Sequence, residues 1–421
     1  MSRGVDAAVV HHARLDARLV DAIRNIRVLQ SLSWPAQVAE EFLLGWALGQ
    51  PRLPRLEYPQ VDHGPVRRAL AAVAAGADPD HPLGRYLLGT VESWTSATWM
   101  LEAAGSADVT RHSVALFGRP GDVLPGGGAT NLDAARHFIG LADELDRELL
   151  PDESQYRIGA VELQADLQAE LDRFFVHHRI SVEIDPDLIA KAAAGPTRIR
   201  LRGGGHYSEY DRHQLLEHEA FVHSLTALNG REQPHMKSLA RNSPRITASQ
   251  EGLATFAELI TGAIDIERMK RISLRIIAVD MALRGADFIE VFRFFLDAGQ
   301  TTTDSFASAQ RVFRGVPLTG GAAFTKDTVY LHGLIGVHTF FRWALRHRRL
   351  NLARLLFAGK MTLSDVVALE PMFEAGALVE PLYVPPWLQR AQGLAGMLAF
   401  SLFANRIRLD NIDDEAPVPG L

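Results

Sequence analysis

Two short runs hold the side chains best suited to chemistry. They are Leu216-Glu217-His218-Glu219-Ala220-Phe221-Val222-His223 and Gln250-Glu251-Gly252-Leu253-Ala254. Zinc accepts imidazole nitrogen and carboxylate oxygen, and a catalytic zinc site keeps three protein ligands and one open position. His218, His223 and Glu251 are read as the ligands of one Zn2+ per chain. Glu219 is read as the general base that takes a proton from water whose pKa the metal brings near neutral. The spacing is demanding. Histidines four apart on a helix lie about 40° apart around its axis, whereas histidines five apart lie about 140° apart. Two unrelated histidines on a surface helix would show the same pattern. If both bind one ion, the helix must absorb about 100° of extra rotation. A one-residue π-bulge within Glu219–Val222 would do this, and such bulges recur at functional sites. Phe221 and Val222 are then expected to move toward the core. The alternative is an α-helix that ends near Val222, but Leu225 and Leu228 continue the apolar face beyond it.

The elements that must position these groups are legible on either side. Ile180–Ile184 and Thr197–Arg202 alternate apolar and polar residues, as half-buried strands do. Arg198, Arg200 and Arg202 form either a solvated face or part of an edge that binds an extended peptide. Pro186–Lys191 between them is expected to make a short turn of helix. Gly203-Gly204-Gly205 turns into the histidine helix, with Ser208 as N-cap and Asp211 at the capping-box position. Asn229-Gly230 is read as that helix's stop. Thr247 is read as the N-cap of the next helix, with Gln250 at its capping-box position and Glu251 in the first turn. Gly252 leaves room for close helix approach. Glu258, seven residues after Glu251, is either a partner for a ligand histidine or a surface glutamate. Glu217 is expected to be solvated, and His213 to lie on the surface or behind the ligands.

The whole chain bounds the answer further. Its 421 residues suggest about two or three lobes, or one large domain. A hydrophobic content of 47% and a charged content of 22% are those of a globular protein. A net charge of −6 gives no reason to expect a nucleic-acid partner. The absence of cysteine excludes a disulfide scaffold, a thiolate metal site and a cysteine nucleophile. It also fits a reducing cytoplasm, which is the expected location. The N-terminus lacks a signal-peptide core. No apolar run approaches the ~20 residues of a membrane span, so no membrane partner is expected. Gly393–Ala404 reads as a buried helix. Gly126-Gly127-Gly128 is not a phosphate loop, because no strand precedes it and the characteristic lysine is missing.

Helical periodicity recurs over Val5–Ser31, Ala36–Leu48, Gly84–Ala104, Asn131–Leu149, Leu163–Phe174 and much of Asp265–Ile407. The fold class is therefore mainly α (α+β), with a small sheet before the histidine helix. The expected layout has four parts: an N-terminal helical region (1–150), a catalytic region (151–345), a C-terminal helical region packed on it (346–410) and a tail (411–421). The oligomeric state is not legible.

His-Glu-x-x-x-His followed by Gln-Glu-Gly-Leu-Ala resembles the microtubule-associated tyrosine carboxypeptidases. It is closer still to their bacterial relatives, the flavohemoglobin expression-modulating QEGLA-motif proteins. Further motifs in the same order extend the resemblance from about His81 to about Phe341. They are His81-Pro82-Leu83-Gly84-Arg85-Tyr86, Thr130–Phe138, Arg311-Val312-Phe313-Arg314-Gly315 and Phe324-Thr325-Lys326-Asp327. The resemblance implies a mostly helical, zincin-like metallopeptidase that acts on the C-terminus of a peptide or protein. It implies His218, His223 and Glu251 as metal ligands and Glu219 as general base.

A carboxypeptidase must also bind the terminal carboxylate with a cation and offer a donor to the oxyanion of the tetrahedral intermediate. Lys326 is the first candidate cation. It follows a glycine-rich loop and is one of five lysines in a chain that otherwise uses arginine. Arg311 and Arg314, one turn apart, could share the task. Tyr330, one turn after Lys326, is the candidate oxyanion donor. Arg241 and Arg245 are alternatives with no assigned place. Two other readings stay open: a regulatory or binding protein that keeps the fold without peptidase activity, and a zinc hydrolase of a non-peptide substrate.

Overall fold

Apolar residues at helical spacing become helices along most of the chain. The computed structural model describes residues 6–145, 157–186, 188 and 191–406. The expected 150/151 boundary, the helix end near Leu149, the 411–421 tail and part of the Pro186–Lys191 turn fall outside those residues. Buried apolar side chains from Val9 to Leu398 form one continuous core. Phe288, Val291, Phe292 and Phe295 are fully buried in it, on the helix Phe288–Asp297.

Local signals set several helix ends. Pro82 opens the helix Pro82–Glu102, and the His81 ring nitrogen accepts from the Leu83 N–H at 3.2 Å. Tyr86, Trp94 and Leu101 on this helix are core. Trp99 was expected with them but is 46% exposed, and the Arg67 guanidinium covers its ring at 3.5 Å. Asp108–Phe117 and Asn351–Leu355 are helices that periodicity did not reveal. The first buries only Val109, Ser113 and Phe117, too narrow a stripe to stand out.

Ser181–Asp185 pairs parallel with Arg198–Arg202, which pairs antiparallel on its other side with Ala192–Gly195. Ile199 and Leu201 point inward. Arg200 and Arg198 reach across to Asp185 (2.9 Å) and Glu183 (3.5 Å) on the neighbouring strand, so that face is solvated and paired. Ala192–Gly195 was not expected as a strand, since small residues carry no alternating pattern. It abuts the histidine helix, where Ser224 Oγ donates to the Gly195 carbonyl at 3.0 Å.

Asn229-Gly230 does not stop the histidine helix, which continues to Glu232. Asn229 Nδ2 donates to the carbonyls of Phe357 and Tyr383, and its Oδ1 accepts from the Tyr383 N–H. A Cβ on Gly230 would lie 2.3 Å from the Leu239 carbonyl oxygen. Both residues serve long-range packing.

The helix Thr247–Thr261, which carries Glu251, crosses the helix Val329–Arg346 backbone to backbone. A Cβ on Gly252 would sit 2.2 Å from the Gly333 carbonyl carbon. Gly252→Ala is therefore expected to cost about 1–3 kcal/mol or more, because the obstacle is main chain and cannot rotate away. Urea unfolding measures it, and an unchanged midpoint would mean that the helices do not cross this closely.

The first helix, Ala7–Ile23, is tied to the loop between the two ligand segments by buried Asp16. The Asp16 carboxylate accepts from the Ser238 hydroxyl in a short hydrogen bond and from the Ser238 N–H at 3.1 Å. Burial outweighs these bonds and pushes the Asp16 carboxyl from 3.8 up to about 6. A carboxyl raised on folding gives stability that is full below about pH 4 and is lost as pH rises through about 6. Between pH 4 and 7 the wild-type melting temperature should fall relative to that of Asp16→Asn. Parallel curves would rule this titration out.

Candidate metal centre and active site

The Ser208 capping box forms as expected, with Ser208 and Asp211 bonding each other's backbone N–H. The helix it starts is α over Glu209–Leu215, π over Leu216–Ser224 and α again over Leu225–Glu232. The Leu225 N–H bonds the Ala220 carbonyl, five residues back. The distortion is longer than a one-residue bulge, but it has the expected effect. The His218 and His223 rings lie 4.8 Å apart, nearly perpendicular. Phe221 and Val222 are buried, with Phe221 against Phe174 at 4.6 Å.

Glu251 lies in the second turn of its helix, not the first. The helix begins at Thr247 after a 3-10 turn, Pro244–Ile246, and Thr247 is not its cap. Glu251 Oε2 is 3.5 Å from His218 Nε2 and 3.6 Å from His223 Nε2. One ligand atom from each of the three residues lies within 4.8 Å of the others. Tetrahedral zinc with bonds near 2.1 Å sets its ligand atoms about 3.4 Å apart, so the donor set suits that ion. His218 Nδ1 lies 2.6 Å from Glu258 Oε1. A carboxylate only accepts, so Nδ1 carries a proton toward Glu258, which leaves Nε2, on the Glu251 side, as the nitrogen a metal would take. Glu258 is fully buried, which settles it as this partner and not a surface glutamate. Burial opposes its charge, but Arg268 and His218 outweigh that and hold Glu258 below the usual carboxylate range.

Glu219, half-buried on the π stretch, has no hydrogen-bond or ion-pair partner among the described residues. Glu217, expected to be solvated, is instead half-buried. Burial raises its carboxyl to about 7, and its Oε2 has no partner among the described residues. The change in helical period moves it off the face that an α wheel assigns. His213 is exposed.

Lys326 lies in a 3-10 turn, Thr325–Thr328, and the α-helix starts only at Val329. Thr325 is held by Ser113, which its N–H and hydroxyl both reach. Lys326 Nζ is 3.0 Å from Glu251 Oε1. Glu251 therefore shows one oxygen to a cation and the other to both histidines. Burial opposes its charge, but Lys326 and the histidines hold it well below the usual range. Arg311 makes a bidentate pair with Asp327, at 2.7 and 2.6 Å, and its Nη2 is 3.5 Å from the Tyr330 hydroxyl. Lys326 Nζ is 5.1 Å from the centre of the Tyr330 ring. The four residues Arg311, Lys326, Asp327 and Tyr330 thus form one group beside Glu251.

Arg314 and Arg275 border the same group. Burial, with Arg311 nearby, lowers both to about 10, and the Nε of each has no partner among the described residues. Sequence reasoning missed Arg275, although it lies seven residues after Arg268 and so on the same helical face. Arg268, Arg275, Arg311, Arg314 and Lys326, all partly buried, gather beside Glu251, Glu258 and Asp327, and such a cluster of cations suits an anion. Arg245 is occupied by Asp365 at 2.8 Å, and Arg241 lines a separate surface cleft with Arg231 and Lys237.

The sequence matches the family described as microtubule-associated tyrosine carboxypeptidase over residues 41–406, most of the chain. No curated protein matches it.

Proposed function

The chain belongs to the microtubule-associated tyrosine carboxypeptidase family, and from that premise we propose that it is a zinc metallocarboxypeptidase of zincin-like fold. It removes a tyrosine-like residue from the C-terminus of a peptide or protein. Membership of the family implies a tyrosine carboxypeptidase-like function. The observation that carries the finer reading is the convergence of His218, His223 and Glu251 next to Glu219, which has no partner among the described residues.

His218, His223 and Glu251 would hold one Zn2+ per chain. Bound there, zinc would supply a Lewis acid for water and for the scissile carbonyl. Glu219, free of other partners, accepts the proton of the attacking water and returns it to the departing amine. Glu258 fixes the His218 tautomer, and Lys326 fixes the Glu251 carboxylate. The substrate's terminal carboxylate is received by the cationic group of Lys326, Arg311 and Arg314, joined by Arg275. Asp327 orients Arg311. The Tyr330 hydroxyl is the donor to the developing oxyanion. An extended substrate would pair with the edge of Ala192–Gly195 that no described strand covers, beside the histidine helix.

No helix among the described residues is long and apolar enough to cross a membrane. The absence of cysteine favours a cytoplasmic setting. A panel of peptides that differ in their last residue tests the activity, with the products identified by mass spectrometry. Release of single aromatic residues, abolished by a chelator and restored by zinc, is expected. Cleavage within the chain, or indifference to the chelator, would refute the reading.

A further inference from the structure

Gln250 directly precedes Glu251, yet it has no part in the chemistry proposed above. Its Oε1 accepts from Lys360 Nζ at 3.0 Å and lies 3.0 Å from Thr226 Oγ1, a hydroxyl that also reaches the Val222 carbonyl at 2.7 Å. Thr226 lies three residues after His223 on the histidine helix. Lys360 comes from the segment that follows the helix Asn351–Leu355. One buried amide oxygen therefore joins both ligand-bearing helices to the C-terminal part of the chain. Lys360 is itself fixed at its backbone, where its N–H donates to the Leu239 carbonyl at 2.7 Å. Gly359 lets that approach happen, since a Cβ there would be 2.8 Å from Leu239 Cβ.

The choice of lysine needs a reason. Its side chain is buried, at 4% exposure, and no carboxylate among the described residues lies within ion-pair distance of it. A buried ammonium whose one side-chain partner among the described residues is a neutral oxygen is costly. Burial accordingly lowers it to about 8, and the two charges that oppose this are Glu251 and Glu219. A brace alone could use a neutral donor. The charges that act on it are those of the two carboxylates on which the site depends.

We infer that Lys360 is a positioning residue for the metal centre: through Gln250 it sets the Glu251 helix against the histidine helix, and so sets how tightly the three ligands hold their ion. The inference rests on the zinc reading. It is tested by zinc affinity, measured by competition with a chromophoric chelator, alongside the melting temperature of the metal-free protein. Lys360→Met is expected to weaken zinc binding by about 10–100-fold, the range for groups that orient metal ligands. The metal-free melting temperature should change little or rise, since the variant removes a buried charge. Lys360→Arg should recover affinity to within a few-fold of wild type. Gln250→Met, which keeps the volume but removes the acceptor, should weaken binding comparably. The double variant should be no weaker than the weaker single variant, because both act through one contact. Wild-type affinity in a folded Lys360→Met protein would overturn the inference. Should that variant not fold, wild-type affinity in Gln250→Met would do the same. Failure of the wild type to bind zinc is a different result, and would refute the zinc reading itself.

Discussion

Glu219→Gln is expected to lower kcat by about 10²–10⁴-fold, the usual contribution of a positioned general base, while zinc content stays at the wild-type value. The amide has the carboxylate's shape but cannot take a proton from water. Glu219 sits beside His218 on the π stretch, with no partner among the described residues to hold it in a structural role. The substitution should therefore leave stability nearly unchanged. KM should move little, because the carboxylate group is assigned to other side chains. Steady-state kinetics on a cleaved peptide, with metal analysis of the same preparation, separates the outcomes. Wild-type turnover would remove Glu219 from the mechanism, and a fall in zinc along with turnover would make it a ligand.

Glu251→Ala should abolish stoichiometric zinc binding and, with it, all turnover. Both carboxylate oxygens are engaged, Oε1 by Lys326 at 3.0 Å and Oε2 toward the two histidines at 3.5 and 3.6 Å. Removing the carboxylate leaves two imidazoles, too few for a catalytic zinc site, and strands Lys326 as a buried cation. Glu251→Gln is the informative companion. It keeps the volume and an acceptor oxygen, so it should preserve the fold but still bind zinc far more weakly than wild type. Stoichiometric zinc in a folded Glu251→Ala protein would take Glu251 out of the ligand set.

Much of this site could be read before any coordinates. The five-residue gap between His218 and His223 required a helix of altered period, and a π-helix runs through both. The seven-residue step from Glu251 to Glu258 left that carboxylate as either a partner of a ligand histidine or a surface group, and it lies buried against His218. Other signals misled for physical reasons. Thr247-x-x-Gln250 has the pattern of a capping box, but the turn Pro244–Ile246 starts the helix and frees Gln250 to bond Thr226 and Lys360. Asn229-Gly230 has the composition of a stop, but both residues are spent on contacts with segments far along the chain. Ala192–Gly195 carries no strand pattern because its small side chains record nothing about which face is buried. Arg275 and Glu217 looked like ordinary charged residues on helices, and only tertiary packing buries them.

Three side chains, brought together by a helix of altered period, are proposed to hold a zinc ion. Metal analysis of the wild-type protein, purified without added metal and quantified by mass spectrometry against protein concentration, tests it most directly. The account predicts one zinc per chain, removable by a chelator and restored on adding zinc back. A well-folded protein that contains no zinc and takes up none when it is supplied would contradict it.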